Sequence, residues 1–118
     1  DTDKRLSFIA MDACMMGSAE LAMNLSPYCD YYVGCSEIET GSYNYEDLMG
    51  RLSAGTADFT SKKAAESIVD SYFDQDYHLG TKGMIGDVVC IDSSRVYGLY
   101  KELDNFSNNV LKVKDADN

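Results

Sequence analysis

Asp12 and Cys14 stand one residue apart in the stretch LSFIAMDACMMGSAELAM, which runs from Leu6 to Met23. A cysteine whose thiolate is stabilised is a nucleophile, and the thiolate is its reactive form. At the start of a helix Cys14 would feel the positive end of the helix dipole, which favours thiolate. Amide N–H groups beside it would also be placed to stabilise an oxyanion. Asp12 pushes the other way, because a nearby carboxylate disfavours a second negative charge. A cysteine hydrolase further needs a base, normally His. The one histidine, His78, lies far downstream among the polar residues DQDYHLG, the setting of a surface side chain near a helix end. The residues therefore supply a candidate nucleophile and no base beside it.

The elements that must position this pair follow from periodicity. Leu6–Met11 is apolar at nearly every position, as in a strand covered on both faces. A helix follows, with Ser18 as N-cap, Leu21, Ala22 and Leu25 on one face, and Pro27 at its end. Gly17 lets the chain turn tightly into it. Tyr31–Cys35 reads as a second buried strand, and Ser36 to Tyr45 as a polar loop. Helices are expected over Glu46–Leu52 and Ser61–Phe73, the second with Ala64, Ala65, Ile68, Val69 and Tyr72 as one stripe. Val88–Ile91 is a third strand. Asp92 caps a long helix in which Val96, Leu99, Tyr100, Leu103, Phe106 and Val110 keep the helical period, and the polar tail KVKDADN is expected to fray.

Strand–helix alternation implies an α/β fold with a mainly parallel sheet. Three strands are few for such a sheet, and the first opens the chain, so the sheet is expected to be incomplete in this chain. The missing strands would come from an upstream segment or a partner chain. Ligands in such sheets lie beyond the carboxyl ends of the strands. Asp12 and Cys14 follow the first strand, Ser36 and Glu37 the second, so two polar clusters are expected to meet at one edge.

Composition limits the partners. The 118 residues fit one domain or one piece of a larger one, with 45% hydrophobic residues as in an ordinary folded domain. Twenty acids against 10 bases give a net charge of -10, which argues against nucleic acid and favours cationic partners such as basic peptides. No apolar run has the length of a membrane span. Cys14, Cys29, Cys35 and Cys90 form no CxxC pair, so a zinc knuckle or thioredoxin-like site is not indicated. No three-acid loop of EF-hand type is present, so no metal ligands are assigned.

Three segments carry a family resemblance. FIAMDACMMGSAELAMNL resembles the nucleophile motif of clostripain-like cysteine peptidases, peptidase family C11, in which an apolar strand leads into Asp-x-Cys-Leu-Met-Gly and a helix opening with Glu. Asp12, Cys14, Met16, Gly17 and Glu20 fit, with Met15 in place of Leu. CDYYVGCSEIETGSYNYEDLM is similar to the strand and loop that follow in that family, and DVVCIDSSRVYGLYKEL to a later strand and long helix. The likeness extends from about Leu6 to Val110.

The resemblance implies a caspase-like three-layer α/β/α fold, of which residues 1–118 would be a single domain or subdomain forming the C-terminal part of a larger catalytic domain. It implies an endopeptidase that cuts after Arg or Lys. Cys14 would be the nucleophile, and Asp12 would bind the basic P1 side chain at the base of the S1 pocket, as a carboxylate binds guanidinium. Ser36, Glu37 and Tyr43 would line the substrate cleft. The family's catalytic His precedes the Cys, so chain order excludes His78, and the base would come from an upstream segment or a partner chain. Members are often cut between His and Cys, and a chain opening at Asp1 fits a downstream product of such autoprocessing. No cofactor is required by the sequence, and the resemblance admits calcium. It also implies a secreted or cell-envelope bacterial protein. The loop departs from the family in having Thr40 and Tyr43 where Pro and Trp are usual, and Cys35 stands in place of a Ser or small residue. The alternative to an enzyme is a non-catalytic pseudo-peptidase module that holds basic peptides. A receiver- or flavodoxin-like domain would also place an acid after its first strand, but it would need more than three strands.

Overall fold

The computed structural model describes residues 4–39, 43–54, 59–73 and 86–116. Its elements are β1 (Leu6–Ala10), α1 (Ala19–Leu25), β2 (Cys29–Gly34), α2 (Tyr45–Ala54), α3 (Ser61–Phe73), β3 (Val89–Asp92) and α4 (Ser93–Ala116). Each expected element is present, with ends displaced by one or two residues in most cases. His78 lies outside the described residues, as does Thr40.

The three strands form one sheet in the order β1-β2-β3. β1 runs parallel to β2, pairing Leu6 with Cys29 and Ala10 with Val33. β3 runs antiparallel to β2, pairing Tyr31 with Asp92 and Gly34 with Val89. The sheet is therefore mixed and not mainly parallel. The reason is the path between β2 and β3. Ser61, at the start of α3, donates its hydroxyl to Asp30 at 2.9 Å, near the beginning of β2. Tyr72, near the end of α3, packs its ring on Tyr43 at 5.3 Å, beyond the end of β2. α3 thus runs alongside β2 in the same direction, and the chain re-enters the sheet at the end it left. That reversal brings the start of β3, and not its end, to the edge where β1 and β2 finish.

Helices cover both faces. α2 and α3 lie on one, where Val33, Cys35, Tyr43, Leu48, Ala65, Ile68, Tyr72 and Val88 form the larger core cluster. The buried α3 positions Ala64, Ala65, Ile68, Ser71 and Tyr72 repeat at helical spacing. α1 and α4 lie on the other, around Ala22, Cys29, Tyr32 and Val96. β1 is only half-buried and not covered on both faces, because it is an edge strand with exposed ends.

Local chemistry sets the helix starts. The Ser18 hydroxyl accepts the Leu21 N–H at 3.2 Å, capping α1 as expected. Asn44 and Thr60 cap α2 and α3 by accepting the Asp47 and Lys63 N–H groups at 3.1 and 3.2 Å. Asp92 accepts the Ser94 N–H at 2.9 Å at the head of α4. α4 continues through the tail to Ala116, so the tail is helical and does not fray at Lys112; a lysine in the last turns of a helix favours the dipole's negative end. Of the expected α4 stripe only Val96 is buried, and Leu99, Leu103, Phe106 and Val110 are exposed.

Two glycines fix how the Asp12–Gly17 loop meets β2. A Cβ on Gly34 would lie 2.7 Å from the Met16 carbonyl oxygen, and one on Gly17 would lie 2.7 Å from the Ser36 nitrogen. Both obstacles are backbone, so neither can yield by rotating a side chain. Gly34→Ala is expected to destabilise the protein by about 1–3 kcal/mol through this overpacking. A denaturant melt checks it, and an unchanged midpoint would mean that the two segments separate freely.

Candidate active site

The site is built on three strand ends. Met11, just past β1, donates its N–H to the Val33 carbonyl at 3.0 Å, so the loop leaves the sheet still attached to β2. Met15 donates to the Glu37 carbonyl at 2.9 Å and Gly17 to the Cys35 carbonyl at 2.7 Å. The Tyr32 hydroxyl donates to the Met16 carbonyl. Between these ties the chain makes a tight turn in which Met15 adopts φ 61°, a left-handed conformation that a non-glycine residue reaches only when its surroundings hold it.

Cys14 sits on this turn and is exposed, whereas Cys29 and Cys35 are buried and Cys90 is half-buried; all four are free thiols. α1 begins only at Ala19, with Ser18 as its cap. Cys14 is therefore on the loop and not on the helix, and the dipole argument lapses because that field fades within the first turn. The donor that does reach the sulfur is the Glu39 N–H, at 3.2 Å.

Asp12 accepts a hydrogen bond from the Tyr45 hydroxyl. Tyr45 stands at the start of α2, so the first turn of that helix reaches the acid, which stays exposed. Glu39 reaches the same place. Its carboxyl is pushed up to about 7 by burial first, then by the charge of Asp12 and a hydrogen bond with it. One Glu39 carboxyl oxygen is buried with no partner among the described residues. Tyr43 lies behind this pair, 6% exposed, with its ring packed on Tyr72. Its ring is part of the larger core cluster. Burial raises its phenol pKa, and the charges of Glu39 and Asp12 add to the rise.

Ser36 and Glu37 do follow β2 to this edge, and the residue that organises them is Asp87. Asp87 accepts from the Ser36 hydroxyl and from the Ser36 N–H at 3.1 Å. Its other oxygen accepts the Glu37 N–H at 3.0 Å and the Cys35 thiol at 3.2 Å. These donors, the Ser36 hydroxyl first, hold the Asp87 carboxyl down at about 2. Burial and the hydrogen bond to Asp87 raise the Cys35 thiol pKa, so this cysteine is a packed donor. Asp87, Tyr45 and the role of Glu39 are not predicted by the sequence analysis. The one available cue for Asp87 was an acid immediately before a strand, whose direction could not be read. Among the described residues no group of three or more His, Cys, Asp or Glu side chains could hold a metal ion.

The chain thus carries an exposed thiol on a strand-end turn, beside a carboxylate pair, in an α/β arrangement with helices on both sheet faces. The chain belongs to the clostripain family, whose model matches residues 1–118. Solved structures agree on the fold. A clostripain from Bacteroides thetaiotaomicron, in complex with a peptide inhibitor, is similar at 24% identity and a TM-score of 0.60, over 80% of this chain and 39% of that one. An inactive zymogen C11 protease from Parabacteroides distasonis is similar at 23% identity and a TM-score of 0.60, over 83% of this chain and 25% of that one. A secreted C11 cysteine protease from Bacteroides thetaiotaomicron, bound to an irreversible peptide inhibitor, is similar at 25% identity and a TM-score of 0.57, over 81% and 28%. The chain thus spans well under half of these structures. No curated protein matches it.

The Asp87 clamp has a pH signature. Its folded pKa lies below that of an unfolded Asp, so its contribution is complete above about pH 4 and fades as pH falls toward 2. Asp87→Ala is expected to cost about 1 kcal/mol at pH 7, after allowing for its exposure to solvent, and no further at pH 2. Paired melts at the two pH values check this.

Proposed function

We propose that this chain is the nucleophile-bearing part of a cysteine endopeptidase that hydrolyses peptide bonds after Arg or Lys. The observation that carries the reading is the exposed Cys14 thiol, held by the Glu39 N–H, one residue from the Asp12 carboxylate. Family membership supports the reaction class. The acid so close to the nucleophile supports the specificity, since a carboxylate there binds the P1 cation while the thiol meets the carbonyl beside it.

In the reaction a histidine takes the Cys14 thiol proton and the sulfur attacks the scissile carbonyl carbon. A C–S bond forms and the carbonyl π electrons move to oxygen, where amide donors of the turn stabilise the oxyanion. Collapse breaks the C–N bond, and the amine leaves with a proton from that histidine. Water then attacks the thioester, releasing the carboxylic acid and restoring the thiol. The histidine would come from an upstream segment or a partner chain, with this chain as the C-terminal part of a larger caspase-like catalytic domain. The likeness to a secreted protease supports a secreted or cell-envelope location, and no helix among the described residues is long and apolar enough to cross a membrane.

In the complete protein, Cys14→Ala is expected to abolish cleavage of a fluorogenic P1-Arg peptide. Asp12→Ala is expected to lower kcat/KM for P1-Arg and P1-Lys by about 10²-fold or more, the scale for losing a buried ion-pair partner. Full activity of Cys14→Ala would end the nucleophile assignment, and an unchanged P1 preference would remove Asp12 from its role. Binding of the peptide by the wild type without any cleavage would identify a pseudo-peptidase.

A further inference from the structure

The polar groups at the strand-end edge beside Cys14 are unequally satisfied. Asp12 has the Tyr45 hydroxyl as a donor. Glu39 is half-buried with one carboxyl oxygen sealed from solvent and unpaired among the described residues. The Tyr43 hydroxyl is likewise buried without a partner among them, on a side chain that is 6% exposed. Buried polar atoms left without partners cost free energy, and such groups gathered in one place mark a position that something else fills. Both face the Asp12 carboxylate closely enough to feel its charge. A ligand that met all of them would need several N–H donors and positive charge, which describes a guanidinium or ammonium group.

We infer that Glu39 is a second P1 anchor, acting with Asp12 and the Tyr43 hydroxyl so that the bound cation is held between two carboxylates, and that the substrate's cation expels a proton from Glu39 as it enters. This rests on the basic-P1 reading above. The titratable groups facing Glu39 among the described residues are Asp12, Tyr43 and Tyr45, with the Cys14 thiol against its main-chain N–H. With no cation bound, burial and then Asp12 hold the Glu39 proton on near neutral pH, and Glu39 gives it to Asp12 as a hydrogen bond. An arriving cation favours the carboxylate form, so the proton leaves to solvent and the pocket's charge matches the ligand. The sign follows. Affinity for a basic P1 residue is full above about pH 7 and falls as pH drops through that value.

The test uses the complete protein and peptides that differ only at P1, with Arg or its neutral isostere citrulline. For the P1-Arg peptide, Glu39→Gln is expected to raise KM about tenfold at pH 8 and to converge on the wild type at pH 6. Comparison with the wild type at each pH cancels the ionisation of the catalytic groups, which both proteins share. Glu39→Asp keeps the charge and is expected to retain the pH-dependent KM. Tyr43→Phe is expected to raise KM severalfold at every pH. A KM ratio of Glu39→Gln to wild type that stays flat with pH, or that is near one at pH 8, would overturn the inference while leaving Asp12 as the P1 residue. A wild type that cleaves the citrulline peptide as well as the Arg peptide would overturn the basic-P1 reading and this inference with it.

Discussion

Everything at the site depends on the closeness of two backbones. The turn after β1 is laid against the end of β2 with no side chain between them at Gly17 or Gly34, and a single added carbon at either would meet main-chain atoms at 2.7 Å. This contact lets the Met15 and Gly17 N–H groups reach the Glu37 and Cys35 carbonyls. Those bonds stabilise the left-handed Met15, a conformation that by itself costs about 1 kcal/mol or more. A left-handed residue immediately after Cys14 is what turns the thiol outward to meet the Glu39 N–H. The placement of the Cys14 thiol is therefore tied to packing two segments too close for any residue but glycine.

The same contact explains which sequence signals could be read. Asp12, Cys14 and Gly17 are contiguous, so their chemistry shows in a short string. The seven elements follow from periodicity and caps, and their order is strand–helix alternation. The direction of β3 was not readable, because it depends on whether the helices between β2 and β3 carry the chain to the far end or back. Asp87 was invisible for the same reason: only an antiparallel β3 puts its leading residue beside Ser36. The roles of Tyr43 and Tyr45 depend on how a loop folds back, and two tyrosines two positions apart look equivalent in a sequence. One packs on Tyr72 in the core and the other meets Asp12 in the open.

Periodicity also says less than it is often asked to. The α3 and α4 stripes are equally regular. The α3 stripe is buried against the sheet, and most of the α4 stripe is exposed. A helical period reports that one face is apolar, and not what covers it. The β1 run shows the same limit, being apolar throughout and only half-buried as an edge strand.

Asp87 and Glu39 show how one edge of the sheet gives two acids opposite characters. Both lie at the strand ends around Cys14, and in water they would ionise alike. Asp87 collects hydroxyl, thiol and two amide donors, so its charge is satisfied and its carboxyl is held near 2. Glu39 is placed among groups that give it little, beside a carboxylate that repels it, and its carboxyl rises to about 7. An acid with its donors already around it has no capacity for a substrate and serves to hold the loop. An acid kept short of donors binds whatever brings them. Structural and functional carboxylates are thus distinguished by what surrounds them and not by distance from the nucleophile. On that criterion Asp87 holds the loop by its Ser36 and Glu37 amides, and Glu39 is the acid at this edge whose buried oxygen lacks a donor among the described residues.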